Sequence, residues 1–118
     1  MPAPRLTLLV LKTHQPNRLM DFYSALGLSF AEERHGDGPL HLAGRVGDLV
    51  LELYPLPADA GPANDLTRLG FAVLDLDAAF RSLDAVGALL VSQPKTTPWG
   101  RRAVVRDPDG RAVELVEG

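Results

Sequence analysis

The 118-residue sequence contains no cysteine. Disulfide bonds, thiolate nucleophiles and thiolate metal ligands are therefore excluded together, and any metal ion would need histidine, aspartate or glutamate. Long apolar runs are also lacking, since runs such as residues 8–11 are far too short to span a membrane, and no export signal is recognisable. These features favour a cytoplasmic protein that does not enter a membrane.

The sequence has no concentration of charge of one sign. Its formal net charge is -3, and the lysines and arginines are scattered singly apart from the adjacent Arg101 and Arg102. Such a chain offers no basic surface for a phosphate backbone, so nucleic acid is not an expected partner. The serines have no neighbouring nucleophile elbow or base pattern, and no glycine-rich phosphate loop occurs. Organised nucleophilic catalysis is therefore not predicted.

The sequence contains an internal repeat of predicted strands and helices. Residues 6–11 predict a buried strand, Pro16 begins a helix that Gly27 ends, and three short strands follow at residues 28–35, 40–45 and 49–54. The pattern restarts with a strand at residues 68–73, a helix capped by Asp75 and ended by Gly87, and strands at residues 88–91, 102–106 and 112–116. We therefore predict one α+β domain of two tandem βαβββ modules, residues 5–55 and 67–117, joined by a linker at residues 56–66.

Several motifs lie at matching places along this repeat. They are Phe22-Tyr23 before Leu26-Gly27-Leu28, Leu51-Glu52-Leu53, Asp75-Leu76-Asp77-Ala78-Ala79, and the run from Pro98-Trp99-Gly100 through Asp107-Pro108-Asp109-Gly110 to Val113-Glu114-Leu115. In this respect the chain resembles the vicinal oxygen chelate superfamily, which includes glyoxalase I, extradiol dioxygenases and bleomycin-resistance proteins. The resemblance implies two modules whose mixed sheets curl around a cleft, and often a homodimer.

The resemblance also implies where a metal would be held. Metal-dependent members place a ligand on the first and last strand of each module, and these positions fall here on Leu8, Glu52, Arg68 and Glu114. Leucine and arginine offer no lone pair to a metal ion. We therefore expect no metal at these positions and no cofactor.

Two glutamates that face one cleft without a metal would repel each other. We predict that the guanidinium of Arg68 bridges Glu52, Glu114 or both. Two alternatives stay open: the glutamates are unpaired and solvated, or Arg68 is free and binds an anionic ligand. Glu52 or Glu114 is the candidate general base for catalysis without a metal, and otherwise the catalytic residues are unknown.

Strand alternation predicts the lining of the cleft. The expected ligand-binding residues are Leu8, Val10, Val50, Glu52, Tyr54, Arg68, Gly70, Ala72, Trp99, Ala112 and Glu114. Outside this lining, we expect Arg102 to pair with Asp107 or Asp109 across a hairpin and Arg101 to be solvated.

The three histidines show neither a His-x-His pattern nor a paired helical spacing. His14, His35 and His41 are therefore interpreted as surface or rim residues. The alternative is a relocated site for a divalent transition metal that uses His41 with Glu52.

The leading functional prediction is a metal-free protein of the bleomycin-resistance type that sequesters a small or medium-sized organic ligand, as a homodimer. The first alternative is an enzyme: a glyoxalase-like lyase or dioxygenase with a relocated metal, or an acid/base isomerase that uses a glutamate. The second is an accessory dimerisation module whose cleft is filled by its own side chains.

Overall fold

Two βαβββ units follow one another in the computed structural model, which describes residues 2–118. The first unit consists of β1 (Leu8–Thr13), α1 (Pro16–Ser24), β2 (Phe30–Glu33), β3 (His41–Val46) and β4 (Leu49–Pro55). The second consists of β5 (Leu69–Val73), α2 (Leu76–Ala85), β6 (Leu89–Thr97), β7 (Gly100–Arg106) and β8 (Ala112–Glu117). The predicted α+β class with two tandem units is confirmed.

Each unit forms its own four-stranded mixed sheet. The strand order is β1-β4-β3-β2 in the first sheet and β5-β8-β7-β6 in the second. In both, the first strand runs parallel to the last, while the three later strands are antiparallel. This register sets Val10 opposite Glu52 and Gly70 opposite Glu114. The two last-strand glutamates therefore occupy equivalent places.

The helices cover one face of each sheet. Pro16 suits the first turn of α1. A backbone N–H at this position would have no intrahelical acceptor, so the N–H that proline lacks is not needed. The Asp75 carboxylate caps α2 by accepting a 3.0 Å hydrogen bond from the backbone N–H of Ala78. The apolar faces of these helices bury Leu19, Phe22, Tyr23, Leu76 and Leu83 against the inner strand residues. The core thus lies between the helix layer and the sheet layer.

A buried polar cluster joins the two units. The guanidinium of Arg111, after the turn before β8, donates to Asp107 at 3.2 Å, to Asp109 at 2.9 Å and to the carbonyl of Lys12 in β1 at 3.1 Å. The phenol of Tyr23 in α1 donates to Asp107 at 2.8 Å. The Asp-Pro-Asp-Gly turn is therefore bonded to the first unit as well as to its own hairpin.

The molecule is a slab with a bare side. Its extents are 47 × 42 × 23 Å and its radius of gyration is 15.0 Å, above the roughly 13.5 Å expected for a compact domain of this length. A thickness of 23 Å holds one helix layer and one sheet layer. Within residues 2–118, no layer covers the sheet faces opposite the helices.

The sequence pattern predicted β6 to be shorter than it is in the structure. β6 extends to Thr97 and includes Pro94, whereas the sequence pattern placed the end of this strand at Val91. β6 lies at the edge of its sheet and has two register irregularities against β7. An edge strand tolerates a proline because one side of its backbone needs no partner.

Candidate functional site

The uncovered face carries the side chains that strand alternation assigns to the cleft. On the first sheet these are Leu8, Val10, Val50, Glu52 and Tyr54, and on the second they are Gly70, Ala72, Ala112 and Glu114. Trp99 projects from the β6–β7 turn and is 76% exposed. Their sequence neighbours Leu11, Leu51, Val113 and Leu115 are buried on the helix side.

The four positions that correspond to a metal site in related proteins do not form a ligand set. Leu8 and Arg68 are exposed and have no donor lone pair. Glu114 is already neutralised, because its Oε2 lies 2.8 Å from Nη2 of Arg102. These residues do not fit a metal ion there.

The predicted bridge from Arg68 is wrong. Arg68 lies just before β5, is exposed, and belongs to none of the ion pairs within residues 2–118. Glu114 is paired with Arg102, and Glu52 lies against histidines instead. Arg68 precedes the parallel ladder that begins at Leu69, so the sheet does not direct it toward either glutamate.

The predicted roles of the neighbouring arginines also need correction. Arg102 pairs with Glu114 and not with Asp107 or Asp109, whose partner is Arg111. Arg101 is not simply solvated, since it donates to both carboxylate oxygens of Asp77 at 2.9 and 3.1 Å. Residues alternate across β7, so Arg102 and Arg101 point to opposite faces of the sheet.

A cluster of two glutamates and two histidines occupies the uncovered face of the first sheet. Its members are Glu33, His35, His41 and Glu52, and one ligand atom from each lies within 4.8 Å of the others. The register explains this meeting: Glu33 in β2 stands opposite His41 in β3, and Glu52 in β4 stands opposite Ala43. The small side chain of Ala43 leaves room for Glu52 to approach His41.

The contacts in this cluster alternate between nitrogen and oxygen. Nε2 of His41 is 3.3 Å from Oε2 of Glu52 and 3.5 Å from Oε1 of Glu33. Nε2 of His35 is 3.7 Å and 3.4 Å from the same two oxygens. Four atoms from four residues thus converge on one point.

His41 is held rigidly within this cluster. The residue is 3% exposed, its ring stacks on Tyr54 at 4.1 Å, and its Nδ1 lies 3.2 Å from the carbonyl oxygen of Pro39. Burial, followed by the carboxylates of Glu52 and Glu33, raises the pKa of the Tyr54 phenol. The interpretation of His41 as a rim residue is therefore wrong. Its sequence signal was weak because its partners come from two other strands and from the β2–β3 loop.

Grooves run along both uncovered sheet faces. One of about 450 Å³ is lined by residues that include Ala31, Ala43 and Val50, beside Glu33. The other, of about 310 Å³, is lined by Trp99, Val104, Arg102 and Glu114 among others. Their size lies in the range of small-molecule sites, with apolar walls and a few polar groups.

The family model of the Glyoxalase/Bleomycin resistance protein/Dioxygenase superfamily matches residues 5–115. The chain belongs to this superfamily. An uncharacterized protein of Mycolicibacterium smegmatis is 30% identical over 106 residues, which cover 90% of this chain and 87% of the relative. The resemblance to vicinal oxygen chelate proteins drawn from the sequence motifs is thereby confirmed.

Solved structures of the superfamily have the same fold. TnmS3, an antibiotic binding protein from Streptomyces sp. CB03234, is 26% identical, with a TM-score of 0.76 over 99% of this chain and 98% of its own. A glyoxalase/bleomycin resistance protein from the same organism is 27% identical, with a TM-score of 0.70 over 95% of this chain and 99% of its own.

Across residues 2–118, neither α1 nor α2 is long and apolar enough to cross a membrane.

Proposed function

We propose that this superfamily member binds a small or medium-sized organic ligand between its two uncovered sheet faces. The observation that carries the proposal is that no layer from the described part of the chain covers the two grooves, whose walls are mostly apolar. Leu8 and Val10, on the uncovered face of the first sheet, are 49% and 37% exposed, although burial of such side chains stabilises a protein by about 1.5–3 kcal/mol each. A ligand or a second subunit would recover this energy.

Ligand binding as proposed needs no metal at the superfamily positions. Apolar contacts with the groove walls provide affinity, while Arg102 and Glu114 provide polar edges for orientation. The 26% identity to an antibiotic binding protein supports a natural-product ligand of this general kind. Cytoplasmic residence, as expected from the sequence, is part of this proposal.

A second copy of the chain is the proposed partner across the bare side. Leu8 and Val10 on the first sheet and Trp99 beside the second are exposed apolar side chains on this side. Pairing two slabs through these faces would enclose the grooves and give each ligand walls on both sides. Light scattering after gel filtration should show twice the 12.7 kDa chain mass. A monomer at tens of micromolar would contradict this part of the proposal.

Ligand binding is testable through Trp99, the only tryptophan in the chain. We expect a saturable change in its fluorescence when chelator-treated protein is titrated with members of a natural-product antibiotic panel. Val104→Arg, in the wall of the groove that contains Trp99, should abolish the response. Leu74→Ser is the matched control, because Leu74 is exposed away from the grooves in the β5–α2 turn. No response to any panel member would contradict antibiotic binding.

An enzyme of the same superfamily is the second candidate function. The observation that favours it is the contact of the buried Glu52 carboxylate with two imidazoles, since such groups commonly perform acid/base chemistry. Incubating the protein with carbonyl and aromatic diol compounds, with product analysis by mass spectrometry, tests this candidate. Turnover that disappears in Glu52→Gln would favour the enzyme over a binding protein.

A further inference from the structure

We propose that Glu33, His35, His41 and Glu52 bind a divalent transition metal ion, with zinc as the best match. This site differs from the superfamily's metal positions, because only Glu52 is shared and the other three residues lie on or beside the β2–β3 hairpin. The proposal is independent of ligand binding, since the grooves could bind an organic molecule with or without the ion.

The four nitrogen–oxygen spacings in the cluster are close to the edges of a tetrahedral metal site. With metal–nitrogen and metal–oxygen bonds of about 2.0–2.1 Å, the edge of a zinc tetrahedron is about 3.3–3.4 Å. The four nitrogen–oxygen distances in the cluster are 3.3, 3.4, 3.5 and 3.7 Å. Four of the six edges are thus near the length they would have around an ion, and the nitrogen–nitrogen and oxygen–oxygen pairs, which lie within 4.8 Å, would close to that length when an ion enters. Two imidazoles and two carboxylates also suit zinc in donor type.

His41 provides an independent indication that something positive belongs here. A carbonyl oxygen can only accept a hydrogen bond, so the contact with Pro39 places a proton on Nδ1 of His41. In the neutral ring Nε2 then presents a lone pair to Glu33 and Glu52. This buried atom has no hydrogen-bond partner in the part of the chain that the structure describes. A metal ion bound at Nε2 would remove the mismatch.

The surroundings of His41 resemble those of a metal ligand. Its second ring nitrogen is oriented by a backbone carbonyl, which is one of the common outer partners of a metal-bound histidine. Stacking on Tyr54 fixes the ring plane. His35 and Glu33 are partly exposed, with side-chain exposures of 67% and 43%, so an ion can enter from solvent. One fixed ligand and an open side are what reversible metal loading requires.

The competing explanation is a proton in place of the metal. A doubly protonated His41 would also satisfy the two carboxylates, as an imidazolium between Glu33 and Glu52. In that arrangement His35 would not be needed to neutralise the two carboxylates. The two explanations therefore differ in metal uptake and in the importance of His35.

The test uses the full chain without a histidine tag, stripped with a chelator and titrated with zinc sulfate by calorimetry. We expect one ion per chain, and a strong visible absorption band of the tetrahedral type when cobalt replaces zinc. His41→Ala should abolish binding. His35→Ala and Glu33→Gln should each weaken binding beyond the roughly 10–100-fold cost of losing an outer partner of a metal site.

Matched controls separate this site from adventitious binding. His14→Ala removes the histidine outside the cluster, and Glu32→Gln changes the neighbour of Glu33 whose side chain lies on the other sheet face. Both should bind zinc as the unmodified chain does. Because His35 and Glu33 are partly exposed, their variants should fold even if His41→Ala does not. Absence of stoichiometric uptake, or unchanged affinity in both His35→Ala and Glu33→Gln, would overturn the proposal.

Discussion

Arg102 occupies in the second sheet the place that His41 occupies in the first. Arg102 stands opposite Val116, two residues after Glu114, and His41 stacks on Tyr54, two residues after Glu52. Each therefore lies beside the last-strand glutamate of its own unit. Arginine neutralises Glu114 permanently, whereas His41 and Glu52 remain able to share a metal ion. The two copies of the repeat have therefore diverged at this pair of positions, as they have at Leu8 and Arg68.

The same substitution at two arginines should have very different costs. Arg111→Met leaves the buried carboxylate of Asp107 without its charge partner, so we expect a loss of about 3–5 kcal/mol in unfolding free energy. Arg102→Met breaks a pair that is about one-third exposed, and should cost at most about 1 kcal/mol. Urea unfolding measures both. Equal losses would contradict the role of the Arg111 cluster in joining the units.

Tyr23→Phe should destabilise the protein at neutral pH and reduce its sensitivity to alkali. The variant leaves Asp107 without a 2.8 Å donor, at a cost of about 1–3 kcal/mol. Burial, then the Asp107 carboxylate, raises the pKa of Tyr23 above its ordinary value of 10.0. Above about pH 10 the unfolded tyrosine ionises while the folded one stays protonated, so its contribution is full below that pH and declines as the pH rises. Unfolding curves from pH 8 to 11 test this, and parallel declines in both proteins would contradict it.

Asp77 should contribute to stability above its unfolded pKa and lose that contribution in acid. Hydrogen bonds from Arg101 lower the pKa of the Asp77 carboxyl in the folded protein. The contribution is therefore present above about pH 4 and is lost as the pH falls through the lowered value. Thermal unfolding of Asp77→Asn between pH 2 and 7 should show a weaker acid dependence. Asp84→Asn, on the same helix, is the control and should keep the original dependence.

Gly44 and Gly70 should respond differently to substitution by alanine. A Cβ at Gly44 would lie 2.9 Å from the Ser29 carbonyl oxygen and 3.0 Å from the Phe30 ring, so Gly44→Ala should cost about 1–3 kcal/mol. At Gly70 the nearest atom would be Oε2 of Glu114 at 3.9 Å, which is ordinary contact. Gly70→Ala should therefore stay within about 0.5 kcal/mol. Chemical unfolding measures the loss of unfolding free energy in both variants. If Gly44→Ala cost no more than Gly70→Ala, β2 and β3 would have to be able to move apart to admit the methyl group.

The repeat was readable from the sequence because local signals mark it twice. Pro16, Asp75, Gly27 and Gly87 act within a few residues of where they stand, and Gly27 and Gly87 both have positive φ in the structure. Strand ends were less predictable. Residues of β6 beyond Val91 join the sheet only because β7 pairs with them, and no local pattern encodes that pairing.

The sequence by itself determined the tandem fold, the family, and the lack of ligands at Leu8 and Arg68, because these depend on residue identity and short-range order. The partners of the glutamates were decided only by the tertiary structure. Arg102 meets Glu114, and His35 and His41 meet Glu52, through strand registers that bring together residues 11 to 17 positions apart. Antiparallel pairing sets these contacts, since a shift of one residue would turn each side chain to the opposite face.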